Sequence, residues 1–199
     1  GSNGKTIIKE WLYQILSHEM SVARSPKSYN SQIGVPMSVW QLNELHQAAI
    51  FEAGISRPGE MQNLEKIIRP TIGIFTNIGE AHGKNFDNIR HKVEEKLKLF
   101  LKVDTLIYCS DHKEIKEAVE KKNINTFSWS RKDNKADVLI YSIEKGEGET
   151  IISAVRRNSQ TQNDSQIFKF SDSQIQKIRI PFTDDASIEN AIHCWLAAM

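Results

Sequence analysis

The first six residues, Gly-Ser-Asn-Gly-Lys-Thr, run directly into an amphipathic helical pattern, and this junction constrains the fold more than any other feature of the sequence. Gly1 and Gly4 allow the backbone to turn so tightly that several N–H groups point at one anion, and the positive end of the following helix dipole adds to the attraction. In such a loop Lys5 lies along the β- and γ-phosphates of a nucleotide, and the Thr6 hydroxyl coordinates Mg²⁺. The hexapeptide therefore predicts a P-loop; the alternative is a glycine-capped turn before an ordinary helix.

Both ends of the sequence predict a fragment of a longer protein. A P-loop normally follows a buried parallel strand, and here no such strand precedes Gly1. At the other end, residues 196–199 still belong to an apolar helical pattern that no glycine or proline caps. We therefore expect the 199 residues to be one domain of a larger chain.

The composition indicates a globular domain that neither binds nucleic acid nor enters a membrane. Of the 199 residues, 39% are hydrophobic, which is enough for a core. The 26 basic and 25 acidic side chains give a net charge of +1, too little to attract nucleic acid or an anionic membrane. No apolar run approaches the length of a membrane span. Cys109 and Cys194 stand in apolar surroundings typical of buried free thiols, so we expect a reducing, cytoplasmic location.

Apolar strand patterns alternate with helical patterns from the P-loop to residue 129. Pro36 is predicted to begin a short helix, and Asp87 to cap a long one. This alternation predicts an α/β P-loop fold with a doubly wound, mostly parallel sheet. From residue 136 to 181 the pattern changes to period two, which predicts a small antiparallel β appendage. The predicted strands cover 48–51, 71–78, 105–109 and 126–129, with period-two segments at 138–142, 150–154, 167–169 and 178–180; the predicted helices cover 5–18, 37–42, 58–68, 87–101, 113–121 and 187–198; residues 21–32 are polar, with no predicted element.

Two groups that can bind a metal follow apolar strand patterns. Glu52 ends the run at 48–51, and His82 follows the run at 71–78. The carboxyl ends of parallel strands lie at one edge of a sheet, so both side chains are expected at the edge that carries the P-loop. This convergence predicts a metal and phosphate site. The alternatives are an ion-paired or helix-capping carboxylate for Glu52 and a polar loop residue for His82.

Lys96 is predicted to point with the apolar face of its helix. On a helical wheel with about 100° per residue, Lys96 lies within about 20° of Ile89 in the apolar stripe. Lys98 lies on the opposite side and Lys92 at the margin, so both are expected in solvent. Burial of an ammonium is costly and lowers its pKa, so the position of Lys96 needs a reason. Either its aliphatic stem snorkels to the surface, or a neutral amine is modified or binds an anion.

Four segments, in this order, resemble the central ATP-binding domain of the Mur ligases. They are the hexapeptide at 1–6; Asn-Ser-Gln-Ile-Gly-Val-Pro-Met at 30–37; Glu-Ala-Gly at 52–54 with Pro-Gly-Glu at 58–60; and Thr-Asn-Ile-Gly-Glu-Ala-His at 76–82. The resemblance is clear over residues 1–101 and looser over 185–199. Within the family, the second and third segments are most similar to the branch that adds D-Ala-D-Ala during peptidoglycan precursor synthesis.

The resemblance implies a site that holds two Mg²⁺ ions. Thr6 and Glu52 would bind one ion, and His82 would bind the other. Lys96, four residues before Phe100, matches the family lysine that is carbamylated, so its carbamate would also bind the second ion. Lys96 and His82 are thereby predicted to be catalytic.

The resemblance also implies that the nucleotide is ATP. Lys5 would bind the phosphates and act in catalysis. Asn190 matches a family asparagine near the adenine, although the family usually has His-Asn where this chain has Ala186 and Ser187. The residues that the resemblance places on the nucleotide are Gly1, Asn3, Gly4, Lys5, Thr6 and Asn190.

The activity that the resemblance implies is ATP-dependent amide ligation. The terminal carboxylate of a UDP-MurNAc-peptide would attack the γ-phosphate, and the amine of D-Ala-D-Ala would displace phosphate from the resulting acyl phosphate. Both substrates would bind through flanking domains, so the fragment alone is expected to be inactive. Two alternatives are a related amide ligase with another acceptor, such as a folylpolyglutamate synthase, and a non-catalytic nucleotide-binding domain.

Overall fold

The structure, a computed structural model, describes residues 3–79, 86, 88–157 and 175–199. The predicted strand at 167–169 lies outside these ranges. The described helices are α1 (Lys5–Leu16), α2 (Gly34–Val39), α3 (Glu60–Ile68), α4 (Ile89–Leu97), α5 (Lys113–Glu120) and α6 (Asp185–Ala197). The described strands are β1 (Val22–Arg24), β2 (Ala48–Ile50), β3 (Ile72–Phe75), β4 (Thr105–Cys109), β5 (Thr126–Ser130), β6 (Val138–Lys145), β7 (Thr150–Arg156) and β8 (Ile175–Ile180).

Most of the strands form one sheet in the order β3-β4-β5-β6-β7-β8. Neighbours from β3 to β6 are parallel, whereas β6, β7 and β8 are antiparallel. The predicted combination of a mostly parallel sheet with antiparallel strands is thus confirmed. The antiparallel strands join the parallel ones through the β5–β6 pairing, so they extend the same sheet instead of forming a separate layer. β1 and β2 form a second, parallel two-stranded sheet.

Helices cover both faces of the larger sheet, as a doubly wound fold requires. Alternate residues of β4 point to opposite faces. Leu106 and Tyr108 pack in a cluster with side chains of α3, α4 and α5, while Ile107 and Cys109 pack with α6. Cys109 and Cys194 are buried free thiols, as predicted, and burial raises the pKa of each to about 12. In the described ranges, no helix has the length and apolarity needed to cross a membrane.

β1 lies in the polar stretch 21–32, where the sequence patterns predict no element. It forms because its backbone pairs with β2 and its side chains gain contacts with α1. The Arg24 guanidinium lies over the Tyr13 ring, 3.5 Å from its centroid, and Arg24 Nε is 3.0 Å from Glu10 Oε2. A three-residue strand made of half-buried side chains has too little apolar periodicity to be detected from sequence.

α2 begins at Gly34, so the prediction that Pro36 is its first residue is wrong. Pro36 is the third residue of the helix. The first N–H groups of a helix have no partner within it, so a proline there removes no hydrogen bond. Ser31 supplies the missing partner further upstream, because its Oγ accepts from the N–H of Gly34 at 3.1 Å.

The N-cap of α4 is Asn88, so the prediction that Asp87 caps this helix is wrong. The Asn88 side chain accepts from the N–H of His91 at 2.9 Å. After α4 the chain tightens into a 3₁₀ turn, Lys98–Phe100, which brings the Phe100 ring against β3. A Cβ at Gly73 would lie 2.4 Å from Phe100 Cδ1, so this contact requires a glycine in β3.

Candidate active site

The described part of the predicted P-loop, residues 3–6, bends tightly into α1. Gly4 is the N-cap, with φ of 81° in the left-handed region, and the N–H of Ile8 donates to its carbonyl at 2.9 Å. A Cβ on residue 4 would lie 2.2 Å from Asn190 Oδ1 on α6. The backbone conformation and the close approach of α6 therefore both require glycine.

The end of β3 holds this loop at Asn3. Asn77 Oδ1 accepts from the N–H of Asn3 at 3.1 Å, and Thr76 Oγ1 donates to the Asn3 carbonyl at 2.7 Å. Two neighbouring side chains that follow β3 thus bind both backbone polar groups of Asn3. Gly1 lies outside the described residues.

The first turn of α1 has the properties of an anion site. Within the described residues, no acidic side chain lies in this turn and no side chain caps it, so its N–H groups can bind a ligand. Lys5 is half-buried at the same place. Burial lowers the pKa of Lys5, the Glu52 carboxylate opposes this shift, and the Lys92 ammonium adds to it. Thr6 follows in the helix and is exposed.

Glu52 follows β2 and is almost completely buried. Asn30 Nδ2 donates to its Oε1 at 2.6 Å, whereas Oε2 has no hydrogen-bond partner among the described residues. Lys9 Nζ lies 4.0 Å from Oε2. A buried carboxylate oxygen that lacks a partner can be satisfied by a cation, so Glu52 fits a role as an Mg²⁺ ligand.

The rest of the predicted metal site is not assembled by the described residues alone. No group of three or more His, Cys, Asp or Glu side chains lies together there in a metal-binding arrangement. His82 lies outside the described residues, so its predicted place beside Glu52 stays a prediction.

Lys96 is buried on the inner face of α4, as the helical wheel predicts, with 6% of its surface exposed. Burial lowers its pKa to about 8, and the nearby ammonium groups of Lys5 and Lys92 contribute. Lys98, expected in solvent, is only partly exposed, with 37% of its side chain accessible, because it forms an ion pair with the buried Glu95. Lys92 is half-buried, so the prediction that it lies in solvent is wrong: it lines the same cavity as Lys5 and Lys96.

Two adjoining cavities share Lys5 and Lys96 in their walls. One has a volume of about 490 Å³, lies between β2 and β3, and includes Glu52. The other, of about 480 Å³, is bounded on its far side by residues 30–33 and 54–56. The structure therefore brings Lys5, Glu52 and Lys96 together, although 91 positions separate Lys5 from Lys96 in the chain.

Lys9 is a buried cation that the sequence patterns do not single out. Its Nζ donates to the carbonyl oxygens of Ser25, at 2.7 Å, and of Lys27, and lies 3.1 Å from Glu10 Oε1. The ammonium thereby joins α1 to the loop after β1, and the same loop carries the Asn30 side chain that binds Glu52. On a helical wheel of α1, Lys9 falls just beyond the edge of the apolar stripe, so the sequence pattern gives no clear signal that it is buried.

Replacing Lys9 with methionine is expected to lower the free energy of unfolding by about 3 kcal/mol, because two carbonyls and the Glu52 carboxylate lose a buried cationic partner. Lys66→Met, at an exposed position of α3, is the matched control and should change it by less than about 0.5 kcal/mol. Urea denaturation followed by circular dichroism measures both. Equal losses for the two variants would show that the buried ammonium contributes nothing to stability.

A histidine–carboxylate pair adjoins the loop on the side of α6. His112 Nε2, in the turn after β4, lies 3.1 Å from Glu189 Oε1. The hydrogen bond to Glu189 raises the pKa of His112, against the opposing effect of burial. Burial acts to raise the pKa of Glu189, but the hydrogen bond and charge of His112 outweigh it, so that pKa is lowered. The two residues are 77 positions apart, and no local pattern indicates their contact.

Comparisons with known proteins agree with this geometry. The family described as Mur ligase middle domain matches residues 1–198. A protein of Borreliella burgdorferi named UDP-N-acetylmuramoyl-tripeptide–D-alanyl-D-alanine ligase is 41% identical over 99 residues, which are 50% of this chain and 21% of that protein. The chain thus spans only a minor part of the curated relatives that it matches.

Solved structures share the fold. The crystal structure of MurF ligase from Thermotoga maritima in complex with ADP has a TM-score of 0.78 and 23% identity. The aligned region covers 100% of this chain and 43% of the Thermotoga chain. The apo form of L. casei FPGS has a TM-score of 0.65 and 10% identity, and the aligned region covers 100% of this chain and 55% of the FPGS chain. At these identities the likeness concerns the fold alone. Because the family match extends over nearly all of its residues, this chain belongs to the Mur ligase middle-domain family.

Proposed function

We propose that this domain binds ATP and that the full-length protein joins a UDP-MurNAc-peptide to D-Ala-D-Ala in the cytoplasm, as a step of peptidoglycan precursor synthesis. The observation that carries the proposal is the convergence of Lys5, Glu52 and Lys96 at the start of α1. Family membership and the name of the Borreliella relative support the choice of reaction. The nucleotide is chosen because the Thermotoga relative was solved with ADP.

The loop and α1 supply the phosphate site in this proposal. The uncapped N–H groups of the first turn donate to phosphate oxygens, and Lys5 places its ammonium against the transferred phosphoryl group. Asn3 and Gly4 shape the loop, and Asn190, in contact with Gly4, marks the side on which we place the adenine.

Two Mg²⁺ ions belong to the proposed site. Thr6 and Glu52 would hold one of them, and the unpartnered Oε2 of Glu52 is the observation that fits this role. His82 and a carbamate on Lys96 would hold the other. Bound Mg²⁺ supplies positive charge that neutralises phosphate oxygens.

Lys96 is suited to carbamylation because its amine is easily deprotonated. CO₂ reacts with the neutral amine only, and a pKa of about 8 gives Lys96 a much larger neutral fraction near pH 7 than an exposed lysine has. The product is a carbamate anion, which converts a cationic side chain into an oxygen ligand.

The cavity of about 480 Å³ is the proposed place of the acceptor carboxylate. Lys5, Lys92 and Lys96 line it, and Glu60, also in its wall, already accepts from the N–H groups of Ser56 and Arg57. With Lys96 carbamylated, the ammonium groups of Lys5 and Lys92 and the proposed Mg²⁺ ions are the cationic groups that attract an anion. The acceptor carboxylate attacks the γ-phosphate to give an acyl phosphate and ADP, and the donor amine then attacks the acyl carbon and releases phosphate. Neither buried thiol takes part in this scheme.

The test uses the full-length protein, because this chain matches only 43% of the length of the Thermotoga ligase. We expect ADP release that requires both UDP-MurNAc-tripeptide and D-Ala-D-Ala. ADP release with a folate and glutamate instead would identify the alternative amide ligase. Nucleotide binding without turnover of either pair would identify a non-catalytic domain. Residues 1–199 alone are expected to form no amide bond.

Glu52→Gln in the full-length protein is expected to raise the Mg²⁺ concentration needed for half-maximal activity by about tenfold, because a neutral amide binds the ion more weakly than a carboxylate. His82→Ala should act in the same direction. A magnesium titration at saturating substrates measures both variants. If the apparent affinity for the peptide acceptor changes and the Mg²⁺ requirement does not, the metal assignment is wrong.

A further inference from the structure

Four segments of the chain meet on the α6 side of the P-loop through polar side chains. His112, in the turn after β4, contacts Glu189 on α6, with 3.1 Å between Nε2 and Oε1. Glu189 also interacts with the side chain of Asn77 at the end of β3. Asn77 in turn binds the backbone of Asn3 in the loop, at 3.1 Å. Polar contacts thus lead from the β4–α5 turn to the phosphate-binding loop.

The orientation of the Asn77 amide is the central point of this arrangement. Its Oδ1 accepts from the N–H of Asn3, so its Nδ2 is the atom that can donate to Glu189. A carboxylate only accepts hydrogen bonds, and therefore it selects the amide orientation that leaves Oδ1 for Asn3. In the flipped orientation, the NH₂ group of Asn77 would face the N–H of Asn3, donor against donor, and the loop would lose this contact.

The same pair adds a polar contact to α6, which is otherwise held by its buried apolar side chains. Asn190 follows Glu189 and packs against Gly4, where even a Cβ would be too close. The contact between Glu189 and His112 ties this turn of α6 to the β4–α5 turn, which is anchored in the larger sheet. Loss of the contact would therefore affect both the Asn77 amide and the Asn190 packing beside the loop.

Protonation of His112 decides how strong the pair is. The two side chains are 32% and 25% exposed, and partial burial strengthens their attraction when both are charged. The other titratable groups around the pair are Asp111 and Glu114, which favour the charged form of His112, and His193, which lies near Glu189. Burial lowers the pKa of His193 to about 4, so His193 is neutral near pH 7.

We infer that His112 and Glu189 are positioning residues for nucleotide binding. The ion pair of protonated His112 with the Glu189 carboxylate holds Asn77 and Asn190 in the arrangement that keeps the phosphate-binding loop in place. This inference rests on the proposed function, in which the loop binds the phosphates of ATP. The pKa of His112 is raised in the folded protein, so the charged pair is fully present below the ordinary histidine pKa of 6.5 and is lost as pH rises through the raised value. Nucleotide affinity should follow the same course.

The test measures the dissociation constant of MgADP by calorimetry, with the full-length protein and its His112→Gln variant, at about pH 6 and about pH 9. The ratio of the variant's constant to that of the wild type should be about ten at the lower pH, the effect of losing one charged hydrogen bond, and should approach one at the higher pH. Taking the ratio cancels the titration of ADP itself. The exposed His18, just beyond the C-terminal end of α1, provides the control, since His18→Gln should give a ratio near one throughout.

Glu189→Gln supplies the second variant. It should weaken MgADP binding at both pH values, because it also removes the carboxylate that orients Asn77, and it should leave the KM of the peptide acceptor unchanged. A His112→Gln ratio that stays constant with pH, or equals one at the lower pH, contradicts the inference alone. Wild-type protein that binds no MgADP contradicts the proposed function and the inference together.

Discussion

Lys5→Ala in the full-length protein is expected to lower the rate of ligation by about a thousandfold, because the variant would lose the ammonium that we propose faces the transferred phosphoryl group. The fold should survive. Lys5 is half-buried at the mouth of the site, so its truncation opens no closed cavity in the core. The measurement is ADP release with both substrates saturating, together with thermal unfolding to verify the fold.

Lys113→Ala is the matched control for Lys5→Ala. Like Lys5, Lys113 is the first residue of a helix, but 79% of its side chain is exposed and it lies away from both cavities. Its replacement should leave the rate unchanged. A Lys5→Ala enzyme that retains the parent's rate would mean that the loop does not bind the reacting phosphates, and the hexapeptide would revert to an ordinary glycine-capped turn.

The elements that could be predicted from sequence are those with a strong local pattern. β4 is predicted at 105–109 and found at Thr105–Cys109, because a continuous apolar run suits a strand buried on both faces. β6 and β7 follow period-two patterns that suit antiparallel neighbours. In contrast, the start of α2 was misplaced, since proline is favoured in the first turn of a helix without being confined to its first residue.

The site could be predicted only in part, because its members come from distant segments. Lys5 and Lys96 were found from a motif and a helical wheel. Lys9 and Asn30 were missed, because their importance arises from contacts with Glu52 and with loop carbonyls that no spacing rule describes. His112 and Glu189 were missed for the same reason. Roles in metal binding remain predictions, above all for His82.

Lys96→Ala is the second variant with a large expected effect, a loss of about a hundredfold or more in activity, since one ligand of the proposed second metal would disappear. Lys98→Ala should behave like the parent. Lys98 belongs to the following 3₁₀ turn and pairs with Glu95. The comparison separates the role of a buried amine from that of a nearby lysine on the same segment.

The carbamate itself predicts further behaviour that a plain lysine would not show. Added bicarbonate should raise the activity of the parent, and short carboxylic acids should restore part of the activity of Lys96→Ala by placing an oxygen anion near the second metal. The neutral fraction of Lys96 grows as pH rises through its pKa of about 8, so the parent's requirement for bicarbonate should decrease over the same range. Equal losses for Lys96→Ala and Lys98→Ala, or full activity of Lys96→Ala at low bicarbonate, would leave Lys96 as a lysine whose stem merely crosses the apolar face of α4.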